Sequence, residues 1–206
     1  MELSKQFRDR MVEEQIAARG ITDGRLLRVF RTVPRHLFVP EVDTATAYAD
    51  YPLSIGSGQT ISQPFIVAKS CELAELQGSE KVLEIGTGSG YAAALLSLLA
   101  DEVYTIERLE SLYTRARNVL RDNGYETVNC IHGNGYEGYP DAAPFDAIIL
   151  SAAPKDVPSE LVQQLKVGGR MVGPIGAGEQ YLMRIVRTET GFEQSTHGAV
   201  RFVPMR

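Results

Sequence analysis

The chain has few of the residues that build disulfide frameworks, metal clusters or membrane spans. Its two cysteines, Cys71 and Cys130, lie far apart and outside any C-x-x-C pair, a pattern typical of buried thiols in a reducing compartment. The three histidines are too scattered for a metal-ligand motif, so no metal is expected. No apolar run is long enough to cross a membrane, and residues 1–10 lack the apolar segment of a signal peptide. We therefore expect a cytoplasmic protein.

Positive charge is also scarce. The formal net charge is −5, with 21 Lys and Arg against 26 Asp and Glu, whereas a surface adapted to nucleic acid usually carries a basic stripe. We expect neither nucleic acid nor a membrane as a partner.

A length of 206 residues, with 44% hydrophobic content, suits one α/β domain, and no linker rich in Gly, Ser or Pro interrupts it. A monomer is expected.

Two amphipathic helices are predicted ahead of the sheet. Residues 4–19 carry apolar side chains at helical spacing, and Gly20 is placed to end that helix. Thr22 or Asp23 would cap a second helix, which stops before Pro34. These helices would form a small layer on the sheet and no separate domain.

From residue 81 onward, apolar strands alternate with helices. The predicted strands are 81–85, 102–107, 128–132, 145–151 and 170–175, and the predicted helices are 91–99, 109–122 and 158–165, with Pro158 at the first helical position of the last. This alternation is typical of an α/β protein with a doubly wound, mostly parallel sheet. Residues 181–188 and 199–203 predict two late strands that form an antiparallel pair at one edge. Ligands of such sheets bind at the carboxyl ends of the strands.

The most informative motif is Val-Leu-Glu-Ile-Gly-Thr-Gly-Ser-Gly-Tyr, residues 82–91. A short apolar run followed by alternate glycines predicts a strand, a tight turn and a helix, with a backbone that a ligand can approach closely. The third glycine of a dinucleotide G-x-G-x-x-G motif would fall at Tyr91, so that register fails. A purely structural turn is the alternative, but it leaves the alternate glycines unexplained.

This motif resembles the first motif of the S-adenosylmethionine-dependent methyltransferases. A second acid, Glu107, ends the next predicted strand about 20 residues past the glycine turn, where it could bind both ribose hydroxyls. The cofactor expected from the resemblance is S-adenosylmethionine. The residues assigned to it are Glu84, Gly86, Thr87, Gly88, Gly90, Glu107, Arg108, Asn134 and Gly135.

Residues 52–68 form a predicted loop that leads into a helix near Pro64. From the residues alone, Ser62 in this loop is as readily an ordinary helix N-cap as a functional side chain. The loop contains Gly-Gln-Thr-Ile-Ser-Gln-Pro (58–64), and the chain ends in Arg-Phe-Val-Pro-Met-Arg.

Seven stretches resemble the protein-L-isoaspartate O-methyltransferase family. They are residues 33–40, 55–64, 82–91, 103–108, 143–149, 152–154 and 201–204. The 58–64 element and the Arg-Phe-Val-Pro ending are peculiar to that family. The resemblance implies a Rossmann-like methyltransferase domain over 1–206, with N-terminal helices and an active-site loop in 1–65 and a cofactor-binding core with C-terminal strands in 66–206.

The resemblance also implies a reaction. The family transfers the methyl of S-adenosylmethionine to the free α-carboxylate of L-isoaspartyl residues in damaged proteins and peptides, which starts their return through a succinimide to normal aspartate. A carboxylate, with an unperturbed pKa of about 4, is ionised at neutral pH and needs no general base, so orientation suffices. By the family's pattern Ser62 is the catalytic residue, Thr60 and Ile61 line its pocket, and Val203 and Pro204 hold the substrate backbone.

One position departs from the family. The family usually has Asp where this chain has Asn134, and that Asp is expected to accept the adenine amino group. Asn can accept through its carbonyl oxygen without the charge, so we expect weaker cofactor binding with function retained. The backbone N–H of Asn134 could still serve. Because Asn-Gly pairs are prone to deamidation, slow conversion of Asn134 to Asp is a further hypothesis, with protection by the folded turn as the alternative.

Three other functions compete with this one, in addition to a dehydrogenase, which the glycine register disfavours most. Amino methyltransferases of nucleic acids have an Asn/Asp-Pro-Pro-aromatic motif after the fourth strand, whereas residues 151–154 here are Ser-Ala-Ala-Pro, without an aromatic to stack a flipped base. Methylation of a small molecule would leave the 58–64 element unexplained. A non-catalytic binding module on the same fold is the third alternative, since fold does not imply function.

Overall fold

The computed structural model describes residues 2–39 and 42–206. Met1 and Pro40, the last residue of the 33–40 stretch, lie outside the described residues, as does residue 41. The strands are β1 (Leu53–Gly56), β2 (Gln59–Ile61), β3 (Lys81–Ile85), β4 (Glu102–Glu107), β5 (Asn129–His132), β6 (Phe145–Leu150), β7 (Leu165–Ile175), β8 (Gln180–Arg187) and β9 (Phe192–Val200). The α-helices are α1 (Glu2–Arg10), α2 (Gly24–Thr32), α3 (Thr44–Ala47), α4 (Pro64–Ala74), α5 (Tyr91–Leu96), α6 (Glu110–Asp122) and α7 (Ser159–Gln163).

The predicted α/β fold with a doubly wound, mostly parallel sheet and an antiparallel edge is confirmed. The sheet has seven strands in the order β5-β4-β3-β6-β7-β8-β9. The pairs from β5 to β7 are parallel, and β8 and β9 are antiparallel additions. The chain runs outward from β3 to β5 and then returns to β6 on the other side of β3. The boundary between β3 and β6 is therefore the switch point, where such sheets form a ligand crevice at the carboxyl ends of their strands.

Both faces of the sheet are covered. Along β3, Val82 packs into a core cluster with the N-terminal helices, α4 and α5, whereas Leu83 and Ile85 pack into a second cluster with α7. This division results from the alternation of side chains along a strand. Glu84 lies on the same face as Val82 and is fully buried (0% exposed).

The N-terminal segment agrees with the prediction and adds one detail. The α1 helix continues into the π-helical segment Met11–Ile16 and a short 3-10 turn, and Gly20 ends it with a φ of +97°. Asp23 caps α2, since its side chain accepts the backbone N–H groups of Arg25 and Leu26 at 2.7 and 3.2 Å. In the described ranges, no helix combines the length and apolar character needed to cross a bilayer.

Several predicted boundaries are wrong. The strand predicted at 199–203 is β9, which begins at Phe192 and ends at Val200. Its side chains are exposed almost throughout, so it lacks the apolar alternation by which a strand is recognised. The β7 strand begins at Leu165, five positions before the predicted start at 170. The helix predicted at 91–99 ends at Leu96. The helix predicted at 158–165 is α7, which has Pro158 as its N-cap and ends at Gln163. The predicted 52–68 loop contains the β1–β2 hairpin.

Candidate active site

A cleft lies at the switch point of the sheet, closed on one side by the β1–β2 hairpin and on another by residues 202–203. Its volume, including the open mouth, is about 760 Å3, within the range of small-ligand pockets. The predicted site residues that line it are Thr60, Ile61, Ser62, Glu84, Gly86, Thr87, Gly88, Glu107 and Val203. The structure thus brings together residues that are up to 143 positions apart, from Thr60 to Val203.

Two further cavities open from this cleft. The first shares Gly86 and Glu107 with it and adds the predicted residues Arg108, Gly135 and Pro204. The second is an outer groove that shares Thr60, Ser62, Ser151 and Val203 with the cleft and extends along residues 199–202. Ser62 therefore lies where the deep cleft meets the outer groove.

The glycine turn is shaped by backbone bonds from the neighbouring strand. The N–H groups of Gly86 and Thr87 both donate to the carbonyl of Ile106, at 2.8 and 3.1 Å. Gly86 has a φ of +95°, a conformation that side chains rarely adopt, so glycine is needed there. Gly90 is not among the residues that line the cleft. It precedes α5, and a Cβ on it would lie 3.3 Å from Leu120 of α6, so its lack of a side chain allows the two helices to pack closely.

Glu84 is held by a chain of hydroxyl groups. Thr105, its direct neighbour in the β3–β4 register, donates to Oε2 at 2.7 Å, and Ser151 donates to Oε1 at 3.0 Å. The Thr87 hydroxyl lies 2.6 Å from that of Thr105 and donates to it, because the Thr105 proton is already directed to Glu84. Burial raises the pKa of Glu84 to about 7, and the nearby negative charge of Glu107 adds to the shift.

Glu107 ends β4 at the edge of the cleft and is 7% exposed. Its two carboxylate oxygens accept backbone N–H groups, from Gly88 at 2.9 Å and from Leu109 at 2.9 Å. An ionised carboxylate has about four acceptor positions, so two remain for a ligand. The acid therefore both fixes the glycine turn and can bind a diol.

Ser62 is not a helix N-cap. Gln63 occupies that position, and Pro64 is the first residue of α4. No described residue hydrogen-bonds the Ser62 hydroxyl, whereas its backbone carbonyl accepts the Arg35 guanidinium at 2.8 Å. A half-buried hydroxyl without a protein partner, at the mouth of a cleft, is available to a ligand.

The C-terminal segment reaches the site by pairing with the chain after β6. Ala153 N–H donates to the Val203 carbonyl at 2.9 Å, Met205 N–H donates to the Ala153 carbonyl at 2.8 Å, and Pro204 forms the bridge between them. Gln180 of β8 bonds both backbone groups of Phe202, at 2.6 and 3.1 Å. In the described part of the chain, the Val203 N–H has no partner, so it faces no competing acceptor.

The structure does not bring the Asn134 side chain into the cleft. Its Oδ1 accepts the Tyr136 N–H at 3.1 Å, and its Nδ2 donates to Glu137 at 3.0 Å, so the amide caps a short 3-10 turn. It lines a separate exposed groove. The next residue, Gly135, borders the first of the two adjoining cavities, and a Cβ there would lie 2.5 Å from Ile85.

Sequence reasoning missed Thr105 as part of the site. Thr105 lies directly beside Glu84 in the β3–β4 register. The two acids do not give this register, because Glu84 is one residue from the end of β3 whereas Glu107 is the last residue of β4. Arg35 was also missed, although it lies in the 33–40 stretch, because nothing in the sequence indicates what its side chain contacts. Among the described residues there is no group of three or more His, Cys, Asp or Glu suited to a metal ion.

Comparison with known proteins gives matches over nearly the whole chain. The model of the family described as protein-L-isoaspartate(D-aspartate) O-methyltransferase matches residues 5–206. A protein-L-isoaspartate O-methyltransferase of Opitutus terrae is 51% identical over 199 residues, which are 96% of this chain and 85% of that protein. One of Geobacter metallireducens is 54% identical over 185 residues, which are 89% of this chain and 86% of that protein.

Solved structures agree. A protein-L-isoaspartate O-methyltransferase superposes with a TM-score of 0.89 at 27% identity over 96% of this chain, which spans 65% of that protein's length. A Plasmodium falciparum protein solved with S-adenosyl-L-homocysteine has a TM-score of 0.82 at 23% identity, with coverage of 97% of this chain and 98% of that one. This second match shows a shared fold.

Proposed function

We propose a division of roles among the residues of the cleft, starting from the fact that the chain belongs to the protein-L-isoaspartate(D-aspartate) O-methyltransferase family. The enzyme transfers the methyl group of S-adenosylmethionine to the free α-carboxylate of L-isoaspartyl residues in damaged proteins and peptides. The methyl ester closes to a succinimide, from which normal aspartate is recovered. The residues of the cleft therefore have two tasks: to bind the cofactor and to orient the substrate carboxylate.

The deep cleft and the cavity beside it suit the cofactor. S-adenosylmethionine supplies an electrophilic methyl on a positively charged sulfonium, and it also carries an ammonium and a ribose diol. Glu84 is the buried acid placed to favour the positive end, and Glu107 has two acceptor positions left for the ribose hydroxyls. The adjoining cavity, lined by Arg108 and Gly135, would hold the adenine ring.

Ser62 would orient the substrate. The isoaspartyl carboxylate is already a nucleophile at neutral pH, so the protein has only to place one of its oxygens in line with the methyl group. The unpartnered Ser62 hydroxyl would donate to the other oxygen, and Thr60 and Ile61 would form the wall beside it. A bond from a neutral hydroxyl to a charged oxygen contributes about 1.5–3 kcal/mol.

The outer groove would hold the substrate backbone. The free Val203 N–H is available to a substrate carbonyl, and the bridge through Pro204 keeps that N–H in place. The groove is open along residues 199–202, so a protein segment could lie there. A small-molecule acceptor would leave this groove without a role.

We also propose a monomeric, cytoplasmic enzyme whose residues 1–206 form one domain, with neither nucleic acid nor membrane as a partner. The free thiols of Cys71 and Cys130 suit a reducing compartment. The net charge of −5 disfavours a nucleic-acid surface. The N-terminal helices share one core cluster with the sheet, which supports a single unit.

The position of Ser62 between the cofactor cleft and the outer groove carries this proposal. Its test is methyl transfer from labelled S-adenosylmethionine to two peptides that differ only in isoaspartate or aspartate at one position. We expect base-labile label on the isoaspartyl peptide alone, and a kcat about 10- to 100-fold lower in Ser62→Ala. Ser54→Ala, an exposed serine of the same hairpin, is the control and should keep its rate. An unchanged rate in Ser62→Ala would refute the role of the serine.

A further inference from the structure

One buried guanidinium connects the Ser62 loop to the helix that comes after the glycine turn. Arg35 has no exposed surface (0%). No carboxylate pairs with it in the part of the chain that the structure describes. Burial lowers the pKa of Arg35 to about 10, and the nearby Tyr91 and Tyr48 partly offset this shift. A buried charge without a counter-ion is costly, so the fold retains it for what it contacts.

The contacts of Arg35 lie on three sides. Its Nε donates to the carbonyl of Ala47 in α3 at 2.9 Å, and its Nη2 donates to the carbonyl of Ser62 at 2.8 Å. Its Cζ lies 5.1 Å from the ring centre of Tyr91, within the range of a cation–π contact. Tyr91 is the first residue of α5 and lines the cofactor cleft. Arg35 thereby connects the backbone of Ser62 to α5, the helix that follows the glycine turn.

Ser62 depends on this contact. It lies after β2 and before α4, so neither a strand ladder nor a helix fixes its backbone. Within residues 2–39 and 42–206, the bond from Arg35 is the one hydrogen bond to Ser62. Pro64, two positions on, has no N–H with which to brace the loop. Without Arg35 the Ser62 carbonyl would lose its partner, and the loop would keep the bonds from the Gln63 side chain to Asp50, at 2.9 and 3.1 Å.

We propose that Arg35 is a positioning residue for methyl transfer, which fixes the Ser62 backbone so that the serine hydroxyl is held at the substrate carboxylate. The inference rests on the role proposed above for Ser62. Arg35 does not itself line the cleft, so it acts through Ser62 and touches neither substrate nor cofactor.

The test compares two arginines that make the same kind of bond in different places. Arg25 also bridges two backbone carbonyls, those of Leu76 and Leu99 at 3.1 and 2.7 Å, neither of which belongs to a residue that lines the cleft. Lysine keeps the charge and cannot span two carbonyls as the planar guanidinium does. Arg35→Lys and Arg25→Lys are therefore matched variants, and Arg35→Gln replaces the first if it does not yield folded protein.

The readouts are kcat for the isoaspartyl peptide, the dissociation constant of S-adenosylhomocysteine, and the thermal midpoint. We expect kcat to fall about tenfold or more in Arg35→Lys, with cofactor affinity within about twofold of wild type. Arg25→Lys should lower the thermal midpoint and leave kcat within about twofold. In the Ser62→Ala background, adding Arg35→Lys should lower kcat no further, because the two residues act as one unit.

Three results would overturn the inference. The first is a kcat within about twofold of wild type in folded Arg35→Lys or Arg35→Gln. The second is an equal further fall of kcat in the Ser62→Ala background, which would mean that Arg35 acts independently. The third is a loss of cofactor affinity in proportion to the loss of kcat, the mark of a general structural role. An unchanged kcat in Ser62→Ala alone would instead refute the proposed role of Ser62, and the inference with it, so the two failures are told apart.

Discussion

The two sides of the cleft are fixed by different kinds of bond. On the side proposed for the cofactor, backbone bonds of the sheet hold the glycine turn in place, and the Glu107 carboxylate adds one bond to Gly88. The turn at Gly86 is bonded to the Ile106 carbonyl of the next strand, and the Ser151 N–H donates to the Ile85 carbonyl at 2.8 Å. These bonds continue the parallel ladders of β3, β4 and β6, and no single side-chain substitution removes them.

On the side proposed for the substrate, single side chains hold the chain in place in addition to the backbone bridge between Ala153 and Pro204. Arg35 binds the carbonyl of Ser62, and Gln180 binds both backbone groups of Phe202. Both segments lie outside the seven-stranded sheet. Substitutions on the two sides should therefore separate in their effects: those on the cofactor side should change cofactor affinity, and those on the substrate side should change kcat or the KM of the peptide.

The largest effect is expected at Gly86. A residue with a side chain at a φ of +95° has a backbone strain of about 1–3 kcal/mol, which would distort the glycine turn. We expect Gly86→Ala to weaken S-adenosylhomocysteine binding by about 10- to 100-fold in calorimetry. Gly58→Ala is the control, since Gly58 has a φ of +69° in the β1–β2 hairpin and open space around it. Equal losses of affinity in both variants would contradict the separation of the two sides.

The second effect concerns the pH dependence of Glu84. Its pKa is raised to about 7 in the folded protein, above the ordinary value of about 4.5, so the folded state binds more protons than the unfolded state between these pH values. Protonated Glu84 therefore adds about 3 kcal/mol to the free energy of unfolding below about pH 4.5, and this contribution is lost as the pH rises through about 7. Glu84→Gln should abolish this slope in cofactor-free protein.

The same group should make cofactor binding depend on pH. The ionised form of Glu84 favours a cation, so wild-type affinity for S-adenosylmethionine should rise by up to about tenfold between pH 6 and 8. Glu84→Gln should bind more weakly and with little pH dependence over that range. Calorimetric titrations at several pH values, together with thermal midpoints of the cofactor-free proteins, measure both effects. A parallel pH dependence in the variant would assign the titration to another group.

A smaller effect is expected at Gln180, which holds Phe202 at the outer groove. Gln180→Ala removes two side-chain hydrogen bonds from that segment and leaves the sheet ladder of β8 intact. We expect the KM for the isoaspartyl peptide to rise about 3- to 10-fold, with cofactor affinity unchanged. Gln194→Ala, on exposed β9, should change neither quantity. A change in cofactor affinity in Gln180→Ala would show that the two sides are coupled.

The smallest effect is expected at Asn134. Its side chain caps a turn outside the cleft, and an aspartate there would face the Glu137 carboxylate in place of an amide donor. We expect Asn134→Asp to change S-adenosylhomocysteine affinity by less than about twofold. A gain in affinity well above twofold would support the expectation that Asn134, in place of the family's Asp, weakens cofactor binding. Mass spectrometry of the 134–135 peptide after warm incubation would test deamidation directly.

Much of the fold could be predicted, because its signals are local. The apolar strands β3, β4 and β6 and the glycine turn each show in a short window, and the acids Glu84 and Glu107 are recognisable from their positions at strand ends. The β9 strand could not be predicted, since an exposed edge has no apolar alternation. The hairpin at 53–61 was hidden because its strands are only four and three residues long.

The sequence by itself determined the family, the cofactor class and the place of the glycine turn, because all three are carried by contiguous motifs. Tertiary structure alone decided what each side chain contacts. In the structure Ser62 is not an N-cap, and the Asn134 amide lies outside the cleft. The Arg35 guanidinium donates to the carbonyl of Ser62, 27 positions away. These outcomes depend on strand register and on the packing of helices against the sheet, where residues distant in the chain meet.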